Sequence, residues 1–172
     1  MRIFEEPPEE LDESWTHGVL VGGMASATDS IEIACAYRTA ADSLIAPALK
    51  SGEAWRFTYP ILFLYRHALE LHLKAILQPS KRTHELRPLI REFEKLVKTR
   101  FGENLPTEIK EDLEGFSEID PDSQAFRYSD RYSETRHGRF LPGEYWISLR
   151  NLGKRMDALF EVLERVHQRL GR

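Results

Sequence analysis

Apolar residues return every three or four positions in five separate stretches of this chain, a period that gathers them on one face only in an α-helix. In "SIEIACAYRTAADSLIAPALK" the stripe runs through Ile31, Ala34, Cys35, Tyr37, Ala41, Leu44 and Ile45. Thr28 or Asp29 supplies its N-cap, and Pro47 bends or ends it. "YPILFLYRHALELHLKAIL", about residues 59 to 78, is apolar around most of its circumference, as befits a helix packed on several sides, and it stops at Pro79. A third helix begins at Thr83, carries Leu86, Leu89, Ile90, Phe93, Leu96 and Val97 on one face, and fades near "RFGENLP". "TEIKEDLEGFSEID" makes a short fourth, with Thr107 as N-cap and acids in its first turn. The fifth and longest, "EYWISLRNLGKRMDALFEVLERVHQRL", follows Pro142-Gly143 and aligns Trp146, Leu149, Leu152, Met156, Leu159, Phe160, Leu163 and Val166, with Gly153 as its weak point. Links of these lengths join neighbouring helices of a bundle. The pattern predicts an all-α fold, a bundle of about five helices occupying residues 27–172 as one domain.

Residues 1–26 break that pattern. Pro7-Pro8 among acids predicts an extended acidic N-terminal arm over residues 1–14. "WTHGVLVGGM" that follows is β-prone but lacks the glycine spacing of a dinucleotide fingerprint. Charge sharpens the division. Residues 1–13 hold six acids against Arg2 alone, a net of −5, so of the total of −4 the rest of the chain carries about +1. Its most basic stretch is "FRYSDRYSETRHGR", where Arg127, Arg131, Arg136 and Arg139 outnumber Asp130 and Glu134. That stretch reads either as a solvated loop or as a surface for a phosphate backbone. Cys35 is the only cysteine among 172 residues, which excludes an intramolecular disulfide and a four-thiolate zinc site. No apolar run reaches the length of a membrane span, and the acidic start is unlike a signal peptide. A cytoplasmic protein without membrane association is expected.

Candidate chemistry concentrates on the second helix. Arg66, Glu70 and Lys74 stand four residues apart and form one line of alternating charge on an apolar cylinder, with His67 three residues before Glu70. Charges in that setting need partners, because an isolated buried charge is too costly. His84, Glu85, Arg127 and Tyr128 are available. Two readings stand side by side: a structural network pinning the helices, or a ligand cleft using Arg66, His67, Glu70, Lys74, His84, Arg127 and Tyr128. No metal site is expected, since His67, His72 and His84 lack ligand spacing, and no fingerprint for a cofactor is present. A strained serine elbow and a glycine-rich phosphate loop are also missing.

"YPILFLYRHALELHLKAIL", then "THELRPLIREFEKL", then "EIDPDSQAFRY" resembles, in order and character, uncharacterised prokaryotic members of the HEPN superfamily of helical-bundle proteins. The resemblance covers roughly residues 57 to 130. It implies a homodimer that engages RNA or a nucleotide, with a partner protein such as an antitoxin, in a toxin–antitoxin or antiviral defence setting. Many such proteins are metal-independent ribonucleases marked by Arg, four to six residues, then His near the last helix. Here Arg150-Asn151 starts such a motif, but the shortest spacing places Arg155 where histidine belongs. Two other pairs have the spacing: Arg66 with His72, and Arg131 with His137. The first pair lies about 240° apart around one helix and does not converge. Arg131 and His137, in the basic loop before the last helix, are therefore the expected catalytic pair. The alternative is a non-catalytic nucleotide-binding or protein-interaction module.

Overall fold

Local chemistry sets the helix boundaries in the computed structural model, which describes residues 29–79, 83–128, 132–133, 138–139, 141 and 143–171. Asp29 is extended and its carboxylate accepts from the Ile31 N–H at 2.9 Å, so α1 starts at once and runs over Ser30–Ser51. Pro47 lies inside α1 without ending it; Gly52, at φ +69°, makes the left-handed turn that closes it. Bonds from the Arg56, Phe57 and Thr58 N–H groups to Glu53 and Ala54 then open α2 a turn before the expected Tyr59. α2 spans Trp55–Leu77, with Pro60 inside it. α3 covers Leu86–Phe101, starting three residues beyond Thr83, and α4 covers Thr107–Ile119. A short antiparallel ladder pairs β1, Tyr132–Ser133, with β2, Gly138–Arg139, Tyr132 opposite Arg139. α5 completes the bundle over Leu149–Arg169.

The described residues thus form five helices, as the hydrophobic pattern predicts. α2 is the central one, contacting α1, α3 and α5. Its Ile61, Tyr65, Leu69, Leu73 and Ile76 are fully buried, together with Phe93 of α3, Leu113 of α4 and Phe160 and Leu163 of α5. Each such aliphatic side chain contributes about 1.5–3 kcal/mol by leaving water. α1 presents Ala34, Ala41 and Ala48, one every seven residues and all buried, so that α2 approaches closely along its length.

Three expectations for the last helix are corrected. Ser148 is its N-cap, accepting from the Asn151 N–H at 3.4 Å, so the helix begins at Leu149 and Trp146 lies outside it, 89% exposed instead of in the core stripe. At 21 residues it is also not the longest helix, being shorter than α2 at 23. Gly153 is a packing device as well as a weak point: a Cβ there would stand 3.1 Å from Ile45 Cδ1 of α1. The expected arm, residues 1–26, lies outside the described residues.

Candidate ligand-binding face on the second helix

The charged line of α2 divides into a buried part and a surface part. Arg66 is fully buried and Glu70 is 1% exposed. Arg66 donates to Glu70 Oε2, to the Asp120 carbonyl at 3.1 Å, to the His84 carbonyl and to the Pro121 carbonyl at 3.2 Å. Its Nε also stands 3.5 Å from the Asp120 carboxylate. One guanidinium therefore ties α2 to the start of α3 and to the turn after α4. The Leu86 N–H reinforces the junction by donating to Pro121 O at 3.0 Å. Glu70 uses its other oxygen for Lys74 Nζ at 2.6 Å and His84 Nδ1 at 2.9 Å. Burial pushes the Glu70 carboxyl up, but hydrogen bonds from Lys74 and Arg66 and the guanidinium charge outweigh it, leaving it below its ordinary value. Arg66 and Glu70 are buried and bound within the protein, the arrangement that the structural reading expects.

The clip has a consequence on the surface. Asp120 Oδ1 accepts from the N–H groups of Gln124 at 2.7 Å and Ala125 at 2.9 Å, folding the turn that leads to Arg127 and Tyr128. Arg127 is exposed, and its Nε donates to the Ser123 carbonyl at 2.6 Å. The guanidinium sits 5.1 Å from the Tyr128 ring centroid and 5.9 Å from that of Phe63. Phe63 stacks on His67 at 5.8 Å with 6° between the planes, and Tyr37 meets His67 edge-on at 4.5 Å. Burial pushes the His67 imidazole below its usual value. Phe63, His67, Glu70 and Lys74 fall on one side of α2 by their spacing. Of the residues the sequence singles out, His67, Lys74, His84, Arg127 and Tyr128 are brought to one region. Arg131 and His137 lie outside the described residues.

His72 behaves differently. It is buried on the side of α2 that faces α5, its ring 5.7 Å from Phe160 and 6.5 Å from His167. Arg66 instead faces the α3 and α4 junction, so this Arg-His pair does not converge, as the helical angle requires. Neither ring nitrogen of His72 has a hydrogen-bond partner among the described residues. Burial, then His167 and Arg38, push its pKa down to about 4.

Pattern reading missed Phe63 and Tyr37, which sit in the apolar periodicity and carry no polar signal. It also missed a groove of about 860 Å³ whose lining includes Trp55, Tyr59, Tyr145 and Trp146. Ser148 as a helix start was the available signal for Trp146. Among the described residues no group of three or more His, Cys, Asp or Glu could hold a metal ion, and no helix is long and apolar enough to cross a membrane. No family model, curated protein or solved structure matches the chain.

Proposed function

We propose that this chain is a HEPN-like protein that engages RNA, acting as a homodimer in a toxin–antitoxin or defence setting. The observation that carries the reading is the presentation of Arg127 and Tyr128 beside Phe63 and His67 by the Arg66 clip. Exposed guanidinium suits a phosphate, and stacked rings suit an unpaired base. Arg131 and His137, close in sequence, are the pair for the chemistry. His137 takes the ribose 2′-hydroxyl proton, the 2′-oxygen attacks the adjacent phosphorus to form a 2′,3′-cyclic phosphate, and the leaving 5′-oxygen takes a proton from water as the P–O5′ bond breaks. Arg131 stabilises the charge growing on the phosphate.

A non-catalytic, nucleotide- or partner-binding reading is favoured by one specific contact. Arg155, at the position where the motif starting at Arg150 calls for histidine, is committed to α4, its Nε 2.9 Å from Asp112 Oδ1 and its Nη2 3.0 Å from the Glu108 carbonyl. The two readings separate in one assay on structured RNAs in EDTA, reading new 5′ ends and RNA retention together. Cleavage by the wild type that is lost in His137→Ala supports the ribonuclease. Retention without cleavage, weakened by Arg127→Glu, supports the binding module. Neither cleavage nor retention overturns RNA engagement.

A further inference from the structure

We infer that the outer face of α3 is a docking rail for the phosphate backbone of RNA, distinct from the α2 face; this deepens the RNA reading and rests on it. Arg87, Arg91, Lys95 and Lys98 recur at the helical period, so they share an arc of about 80° and extend over about 16 Å of axis. All four are exposed, and none has a carboxylate partner among the described residues. Some other exposed or half-buried cations are paired: Arg38 with Asp157 and Glu164, Arg155 with Asp112, Arg169 with Glu103. Lys50, Arg100, Arg150, Lys154 and Arg165 have no ion pair among the described residues, but they do not form a row of four on one helix face. Like charges at this spacing repel, a small cost to helix stability that the placement of Lys98 in the last turn offsets in part. Of the α3 acids, Glu92 lies three residues before Lys95 without an ion pair to it, and Glu94, at the edge of the same face, is committed to Lys110 of α4 at 3.1 Å.

Lys110, across the groove, is held by Glu94 and lies 3.8 Å from Glu114, so it adds no free charge to the row. The outer end of the α3–α4 groove, about 410 Å³, is lined by Arg91, Lys95, Lys98 and Lys110 with Glu94 as the one carboxylate. The inner end, about 340 Å³, balances Arg87, Arg91 and Lys110 against Glu94, Glu114 and Glu118. Anion affinity therefore lies along the outer face of α3 and toward its C-terminal turn. An elongated row of flexible cations suits a polyanion better than one small phosphate compound. At one phosphate per about 3.4 Å of rise in a stacked strand, the row spans four or five phosphates. Its N-terminal end leads to His84, and from there to the α2 face.

The test compares the salt dependence of single-stranded RNA binding by three full-length proteins. They are the wild type, the stripe variant Arg87→Gln/Arg91→Gln/Lys95→Gln/Lys98→Gln, and a charge-matched control, Lys50→Gln/Arg56→Gln/Lys154→Gln/Arg165→Gln. Circular dichroism establishes that all three are folded. The expected result is a slope of log K against log salt that is shallower by about 3 in the stripe variant, four contacts at about 0.7 each, and little changed in the control. Equal losses in both variants overturn the rail in favour of diffuse charge. An unchanged stripe variant, with binding lost on Arg127→Glu, overturns the rail while RNA engagement stands. A folded wild type that ignores RNA overturns both. Stripe-dependent binding to phosphatidylserine vesicles in its place assigns the face to a membrane surface.

Discussion

α2 and α3 carry the same sequence signature, ionisable residues four apart, and put it to opposite uses. On α2, Arg66 and Glu70 are sealed, and every strong bond they make is internal. On α3, Arg87, Arg91 and Lys95 stand in solvent without carboxylate partners among the described residues. Periodicity fixes which residues share a face, and the neighbours packed against that face decide whether it becomes architecture or surface. α2 has a helix on several sides. The cationic side of α3 meets only the groove edge.

The two helices differ most at Arg66. Replacing it with Met leaves Glu70 with Lys74 and His84 alone, takes the guanidinium from the Asp120 and His84 carbonyls and leaves Pro121 O only the Leu86 N–H, so urea unfolding should show a loss of about 3–5 kcal/mol. Arg91→Met should stay within about 0.5 kcal/mol of wild type. Similar losses at the two sites would remove the distinction between them.

Acid sharpens the contrast inside the buried region. His72 has a folded pKa near 4 against an ordinary 6.5, so the unfolded chain takes the proton first. Its contribution is complete above pH 6.5 and is lost as the pH falls toward 4, by on the order of 3 kcal/mol. Glu70 is depressed below its ordinary 4.5, so its contribution persists above that value and goes only at lower pH. Unfolding measured at pH 7, 5 and 4 should therefore show a first loss that disappears in His72→Leu and a later one that does not. A wild type equally stable at pH 7 and 5 would contradict the isolation of His72.

Smaller effects test the packing and the rim. Gly153→Leu must displace Ile45, and thermal unfolding should report about 1–3 kcal/mol of destabilisation. Lys74 reaches Glu70 from a partly exposed position, so Lys74→Met should cost no more than about 1 kcal/mol. A larger cost would place Lys74 inside the buried network.

Much of the architecture was legible because burial writes itself into periodicity. An N-cap at Thr28 or Asp29, of which Asp29 is the one used, α2 as the helix packed on several sides, and the α5 stripe from Leu149 onward all follow from the pattern. Trp146 was misread because it lies three residues before Leu149 and extends the stripe in phase after the helix itself has stopped. The candidate site was legible only in part. His67, Lys74, His84, Arg127 and Tyr128 announced themselves as polar residues near an apolar helix. The fate of Arg66 did not, because its partners beyond Glu70 are mainly main-chain carbonyls, which every residue possesses and no sequence pattern marks.

That choice of partners bears on how the chain can change. A side chain that grips carbonyl groups is indifferent to which residues bear them but sensitive to where the backbone passes. The segment after α4 should accept many replacements at Pro121, while the addition or removal of one residue between Ile119 and Ser123 shifts the carbonyls out of reach of Arg66. Variation here is constrained in length more than in spelling.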